Sequence, residues 1–244
     1  TAAASYTIIY GTQGFDPAVA GLSTTSTVDS VTLTGLSAAS FYDFYVLSSC
    51  GVAGVSDTSA VGTFFTSCAA ITTPYTQNFD NAASGNTTTP NMPLCWTYNK
   101  ILGTTSNFTY GYTYNFNANT APNCFRMYSS NSTNAANDSL WIVSPQFSGM
   151  GTTDKMMSFK ARKQYTGTFY EGFMWYGTMT NPTDKSTITV MDTFEITNQA
   201  SYEDFYLLFD AASGYNGTDE YMALGIVKGN SAVSNLIDDV EILD

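Results

Sequence analysis

The chain has 244 residues, 43% hydrophobic and only 11% charged, so it can build one large or two ordinary domains with real cores, and disorder is not the default. Eight Lys and Arg stand against 20 Asp and Glu, a net charge of −12; a polyanion needs a basic stripe, so nucleic acid is excluded as a partner and anionic lipid is disfavoured. No stretch approaches the roughly 18 apolar residues of a membrane span, so membrane insertion is not expected, and without Met or a leader the chain reads as an internal or processed piece of something longer.

Thr, Ser, Asn, Gly and Tyr carry the polar quota, a mix that favours pleated strands and turns over helices. Residues 5–10 (SYTIIY) form a β-branched and aromatic run that ends at Gly11 and predicts a strand. A loop through Gly14 and Asp16-Pro17 follows, then short strand-like runs over 26–33, 41–49 and 61–66. Regular short strands separated by turn residues predict a sandwich. The stretch Leu33-Thr34-Gly35-Leu36, followed by Ser40-Phe41-Tyr42-Asp43-Phe44-Tyr45-Val46, resembles the corner between strands E and F of fibronectin type III domains. Tyr42 stands where that family keeps its tyrosine corner, whose hydroxyl bonds back to the backbone a few residues upstream. The resemblance implies that residues 1–70 are the C-terminal strands of such a sandwich, with Ser5 to Tyr10 as strand C. Upstream strands of the same parent chain would then complete it. A sandwich lacking two strands exposes an inner face and an unpaired edge; the alternative is that residues 1–70 pack in their own way.

Cys68 to Thr73 is small-residue-rich and reads as a boundary, leaving 71–244 as a second domain. There the strand-like runs are 74–80, 93–99, 107–118, 138–148, 155–162, 168–179, 186–197, 203–211, 220–229 and 234–243, with no helix-period segment. The fold class is therefore all-β: a truncated fibronectin type III sandwich plus a jelly-roll β-sandwich. Four landmarks in order, Asn78-Phe79-Asp80, Pro93-Leu94-Cys95-Trp96, Leu140 to Pro145 and Ile237-Asp238-Asp239-Val240, resemble the cleaved-adhesin and MAM-like jelly rolls of Bacteroidetes surface proteins. That resemblance implies a secreted, cell-surface protein exported by the type IX secretion system.

The chain has no His and four cysteines without a C-x-x-C pair, which excludes a Cys and His zinc site. Pairing Cys50 with Cys68 and Cys95 with Cys124 keeps each bridge inside one domain; buried free thiols are the alternative. Without His the Ser-His-acid and Cys-His arrangements are unavailable. Glu171, Glu195, Glu203 and Glu220 are the acids a glycosidase pair would draw on, Glu171 first because Tyr170, Phe173 and Trp175 flank it, but solvated carboxylates are the expectation.

Aromatics are 15% of the chain. Tyr110, Tyr112, Tyr114 and Tyr215 lie in Gly- and Asn-rich surroundings suited to stacking a sugar ring, and NFTYGYTYNFNA (107–118) alternates with period two, putting Phe108, Tyr110, Tyr112 and Tyr114 on one strand face. Either sheet packing or a ligand platform accounts for such a face. In related jelly rolls calcium ties the opening segment to the last strand, so the resemblance implies a structural Ca²⁺ through Asp80 and Asp238 or Asp239. Strict alternation in the closing strand puts Asp238, Val240 and Ile242 on one face and Ile237, Asp239, Glu241 and Leu243 on the other, with Asp238 pointing inward. The triplets Asp29-Ser30-Val31 and Asp138-Ser139-Leu140 resemble the O-glycosylation motif of the same phylum, marking Ser30 and Ser139. Asn86, Asn107, Asn131, Asn137 and Asn216 open N-x-Ser/Thr triplets that this composition produces by chance. The resulting expectation is a non-catalytic extracellular adhesin segment that attaches to a glycan or surface ligand. The alternatives are a structural spacer or filament repeat of a large surface protein and an accessory module of a secreted hydrolase.

Overall fold

A computed structural model describes residues 5–102, 109–130, 138–165, 170, 173–227 and 232–244. The chain divides into two compact units, Thr1–Ala69 and Ala70–Asp244.

The first unit is one antiparallel sheet of β1 (Ser5–Thr12), β2 (Leu22–Ser26), β3 (Phe41–Ser49) and β4 (Gly62–Phe65), in the order β2-β1-β3-β4. The strand expected over 26–33 does not form: β2 ends at Ser26, whose hydroxyl donates to the carbonyls of Val28 and Ser30 and accepts from the Val28 amide, turning the chain out of the ladder. The Tyr42 hydroxyl accepts the Ser37 amide at 2.9 Å, five residues upstream, and its ring stacks on Phe64. On one face of the sheet Tyr6, Ile8, Phe44 and Phe64, with Val31 and Leu33 beside them, line an open apolar groove of about 630 Å³.

The second unit is a sandwich of two antiparallel sheets. One contains β13 (Glu203–Phe209), β10 (Lys155–Lys163), β15 (Val233–Leu243), β8 (Cys124–Ser129) and β7 (Thr109–Tyr114), in that order, with β5 (Tyr75–Gln77) paired to the C-terminal half of β15. The other is β12 (Thr189–Glu195), β11 (Phe173–Met179), β14 (Tyr221–Ile226), β9 (Ser139–Val143) and β6 (Thr97–Ile101). Period-two alternation sends Phe125, Met127, Met157, Phe159, Ile237 and Val240 from the first sheet, and Leu140, Ile142, Met174, Met222 and Leu224 from the second, into one shared core. Phe79 and Trp96 close one end of it, their rings 5.9 Å apart.

Strict alternation fails in β15. Ser158 pairs with Glu241 but Lys160 with Asp238, so Phe159 alone opposes Asp239 and Val240, and Asp239 takes φ +46°. This bulge lets Ile237 and Val240 both face the core and leaves Asp238 on the sheet's outer face, not inside. The cysteine pairing also differs from the one expected: Cys50 and Cys124 are free thiols, and Cys68 and Cys95 are disulfide-bonded. Cys124 belongs to β8 in one sheet, its sulfur 3.6 and 3.7 Å from the carbonyls of Tyr114 and Phe116, whereas Cys95 sits in a positive-φ turn leading into β6 of the other sheet.

Candidate functional site

In β7 the residues Thr109, Gly111 and Thr113 are buried toward the core, and Tyr110, Tyr112 and Tyr114 stand half-buried on the other face. Glycine is required at 111, because a Cβ there would come within 2.9 Å of the Arg126 carbonyl and 3.1 Å of the Phe125 ring. The three tyrosines are not core packing: the core of the sandwich contains none of them. Their rings form a row, Tyr110 to Tyr112 at 5.9 Å and Tyr112 to Tyr114 at 5.7 Å. The neighbouring β8 presents Cys124, Arg126 and Tyr128 to this face, Tyr128 stacking on Tyr110 at 4.7 Å. Phe108, expected on the same face, lies outside the described residues.

Arg126 is the hub. Its guanidinium lies 5.3 Å from the ring centroid of Tyr110, 5.9 Å from Tyr112, 5.5 Å from Tyr114, 5.4 Å from Tyr128 and 5.8 Å from Tyr165. Each desolvated cation–ring contact of this kind contributes on the order of 1–2 kcal/mol, without full additivity. Nη1 donates to the Tyr112 hydroxyl at 3.1 Å and Nη2 to that of Tyr165 at 3.5 Å, while the buried Nε has no acceptor among the described residues. Arg126 is 7% exposed, and no carboxylate pairs with it among the described residues. Burial works against its charge, but the oxygens of Tyr110 and Tyr112 outweigh that and hold its pKa above the ordinary value. Burial likewise raises the hydroxyls of Tyr110, Tyr114 and Tyr128, so at neutral pH each stays protonated and can both donate and accept. Gln164 fixes the rim, donating to the Tyr114 hydroxyl at 3.3 Å and accepting from Ser234 at 3.1 Å.

Farther along this face, Arg162 stands across β15 from Arg126, both registered against Leu236, with its guanidinium 5.8 Å from the Tyr202 ring. Beyond it the turn at Asn119 and Thr120 covers β15. Asp238 is fully buried beneath that turn, one oxygen accepting the amides of Asn119 (2.7 Å) and Thr120 (2.9 Å) and the other that of Asp239 (2.8 Å). Burial pushes its pKa up to about 7, against the opposing effect of those amides. Asp239 holds the Asn119 and Thr120 side chains, and Asp80 accepts from the Asn123 amide at 2.8 Å and the Asn78 side chain at 2.8 Å. All three acids therefore fasten the 119–123 segment, the Asp238 oxygens through three backbone N–H donors. Among the described residues no three His, Cys, Asp or Glu side chains gather closely enough to hold a metal.

Tyr215 is elsewhere: its ring packs against the core and its hydroxyl donates to the Asp219 carbonyl at 2.7 Å. Ser30 is exposed in irregular chain after β2, whereas Ser139 is on β9 and its hydroxyl accepts from Lys185 at 2.6 Å. Glu195 lies 3.7 Å from Lys163, Glu203 accepts from Thr197 and Asn198, and Glu220 accepts from Gln146. Glu171, Asn107, Asn131 and Asn137 lie outside the described residues.

Arg126 and Tyr128 were missed in the sequence because no strand was expected over 124–129. The signal was present: Cys-Phe-Arg-Met-Tyr-Ser alternates with period two, but it is short and follows the Asn- and Pro-rich run 117–123, which dominates a local reading.

No protein-family model matches the chain, and no curated protein does. Among solved structures it is similar to the K2 cleaved adhesin domain of Lys-gingipain, at 13% identity and a TM-score of 0.50, over 70% of this chain and 98% of that one. It is also similar to the K1 cleaved adhesin domain of Lys-gingipain from Porphyromonas gingivalis W83 (13%, TM-score 0.47, 70% and 97% covered). A third is the CBM22-1 xylan-binding domain of Paenibacillus barcinonensis Xyn10C (9%, 0.43, 72% and 97%). At such identities the likeness is one of fold, and that fold is the β-sandwich.

Proposed function

We propose that this chain is a non-catalytic extracellular binding segment whose second unit holds a carbohydrate chain on the tyrosine face of its six-stranded sheet. The observation that carries the reading is the set of five tyrosines around Arg126 on a sheet face that the core does not use. Rigid aromatic rings offer apolar faces to the C–H surfaces of a sugar at low entropic cost, and their protonated hydroxyls, with Gln164, supply the donors and acceptors a polyol needs. The resemblance of the sequence to surface adhesins supports placing the segment on a cell surface, where glycan attachment is adhesion. The observed Tyr42 corner supports reading the first unit as fibronectin type III-like. Its open apolar groove is then closed by upstream strands of the parent chain. A calcium ion at Asp80, Asp238 and Asp239 belongs to this proposal only if the Asn119–Thr120 turn gives up its bonds to Asp238.

Electrophoresis through gels containing neutral and acidic polysaccharides tests the binding reading. Retardation by at least one polymer is expected, lost in Tyr110→Ala and Tyr128→Ala variants whose melting shows them folded. Free migration in every gel would refute it.

A further inference from the structure

We infer that the glycan held on this face is acidic, its sugar carboxylates meeting Arg126 and Arg162; this rests on the carbohydrate-binding reading above. The sequence holds two arginines, and the fold sets both on one face of the sheet, on the two strands that flank β15 at Leu236. Strands spaced about 4.8 Å apart put their backbones roughly 10 Å from each other, so a polymer laid across the strands passes both.

Neither arginine has a carboxylate partner among the described residues, in a chain with 20 acids. Of the described acids, Asp204 is engaged by Lys160 and Asp238 lies beneath the Asn119–Thr120 turn. Among the described residues Arg126 in particular is a buried cation compensated by rings and neutral hydroxyls alone, with an Nε–H lacking an acceptor. A neutral sugar leaves that charge as it is, whereas a carboxylate pairs with it through charge-assisted, often bidentate bonds. The place of entry is Tyr165, 40% exposed, whose hydroxyl holds Nη2 by the long 3.5 Å bond and is the acceptor a carboxylate displaces. Because the whole chain carries −12, diffuse attraction to a polyanion is ruled out, and retention must come from this local pair of cations.

Polygalacturonate and its fully methyl-esterified form present the same sugar chain with and without charge. Titration calorimetry of the intact chain should show the acidic form binding at least tenfold more tightly, with the advantage shrinking from 50 to 500 mM salt. Arg126→Gln should cost the acidic form more affinity than the ester, removing that advantage, and Arg162→Gln should reduce it. Tyr110→Ala should weaken both forms. Equal affinity for the two polymers, or Arg126→Gln weakening both equally, overturns the acidic-glycan inference and leaves the binding reading standing. If Arg126→Gln does not fold, Arg162→Gln alone decides: an unchanged preference overturns the inference. Binding of neither these polymers nor any neutral polysaccharide overturns both.

Discussion

Asp238 offers the sharpest check on the geometry of the outer face. Its carboxyl is fully buried beneath the Asn119–Thr120 turn, and burial raises its pKa from 3.8 to about 7 despite three amide donors. A carboxyl raised in the folded state binds more protons folded than unfolded between those two values. Its contribution to stability is thus largest at low pH, falls as pH rises through that window, and is fully lost above about 7. At about 1.4 kcal/mol per pH unit the loss is bounded near 4 kcal/mol; solvent beyond the thin covering turn screens the charge and brings it to about 2–4 kcal/mol. Asp238→Asn removes the titration and also turns an amide toward a backbone N–H that needs an acceptor, costing about 1–3 kcal/mol at acid pH. Urea unfolding of both proteins at intervals from pH 4.5 to 8 should show the wild type ahead at the acid end, its lead shrinking or reversing by pH 8. The other carboxylates cancel in that difference. A difference that is flat across the window, or that grows with pH, would refute the account of Asp238 as a buried acid whose desolvation outweighs its amide bonds.

Peptide mapping without reduction should recover Cys68 and Cys95 in disulfide-linked peptides and Cys50 and Cys124 as free thiols; a bridge involving Cys50 or Cys124 would count against it. In the native protein, maleimide at pH 7.5 should label Cys50 and spare Cys124, whose pKa burial pushes up to about 12; rapid labelling of Cys124 would place it outside the sheet. Tyr42→Phe takes the acceptor from the Ser37 amide and should destabilise the first unit by about 1 kcal/mol, several degrees in melting temperature; an unchanged transition would make that bond incidental. Melting in calcium and in chelator should give equal midpoints, since amides hold the Asp238 oxygens; a midpoint that climbs with calcium would restore a metal at Asp80, Asp238 and Asp239.

The all-β class is legible in the sequence because strand formation rests on local features: β-branched and aromatic runs, period-two alternation, and Gly and Asn at the turns. The segment 107–118 shows the reach of that information. Its alternation places Tyr110, Tyr112 and Tyr114 on one strand face, and the structure has them on one face of β7. Which side of the sandwich that face looks to is not a property of the strand. Thr109, Gly111 and Thr113 turn inward because Phe125 on the neighbouring strand fills the space above Gly111, and only the pairing of β7 with β8 brings Arg126 among the rings.

The closing strand shows the converse. Reading β15 by alternation sets Ile237 and Val240 on opposite faces, and one residue in the left-handed region, Asp239, reverses that for everything before it. A bulge arises from the fit between two strands far apart in sequence, here β10 and β15, so local periodicity carries no trace of it. The cysteines follow the same logic: their spacing suggests that Cys95 pairs with Cys124, but Cys124 lies on β8 in one sheet while Cys95 leads into β6 of the other, and Cys124 is a free thiol. Composition and periodicity thus determined the all-β class, the acidic balance and the outward tyrosines' common face. The partners of those side chains were decided by tertiary structure, because hydrogen bonds, ring contacts and bridges act over a few ångströms between residues the sequence holds many positions apart.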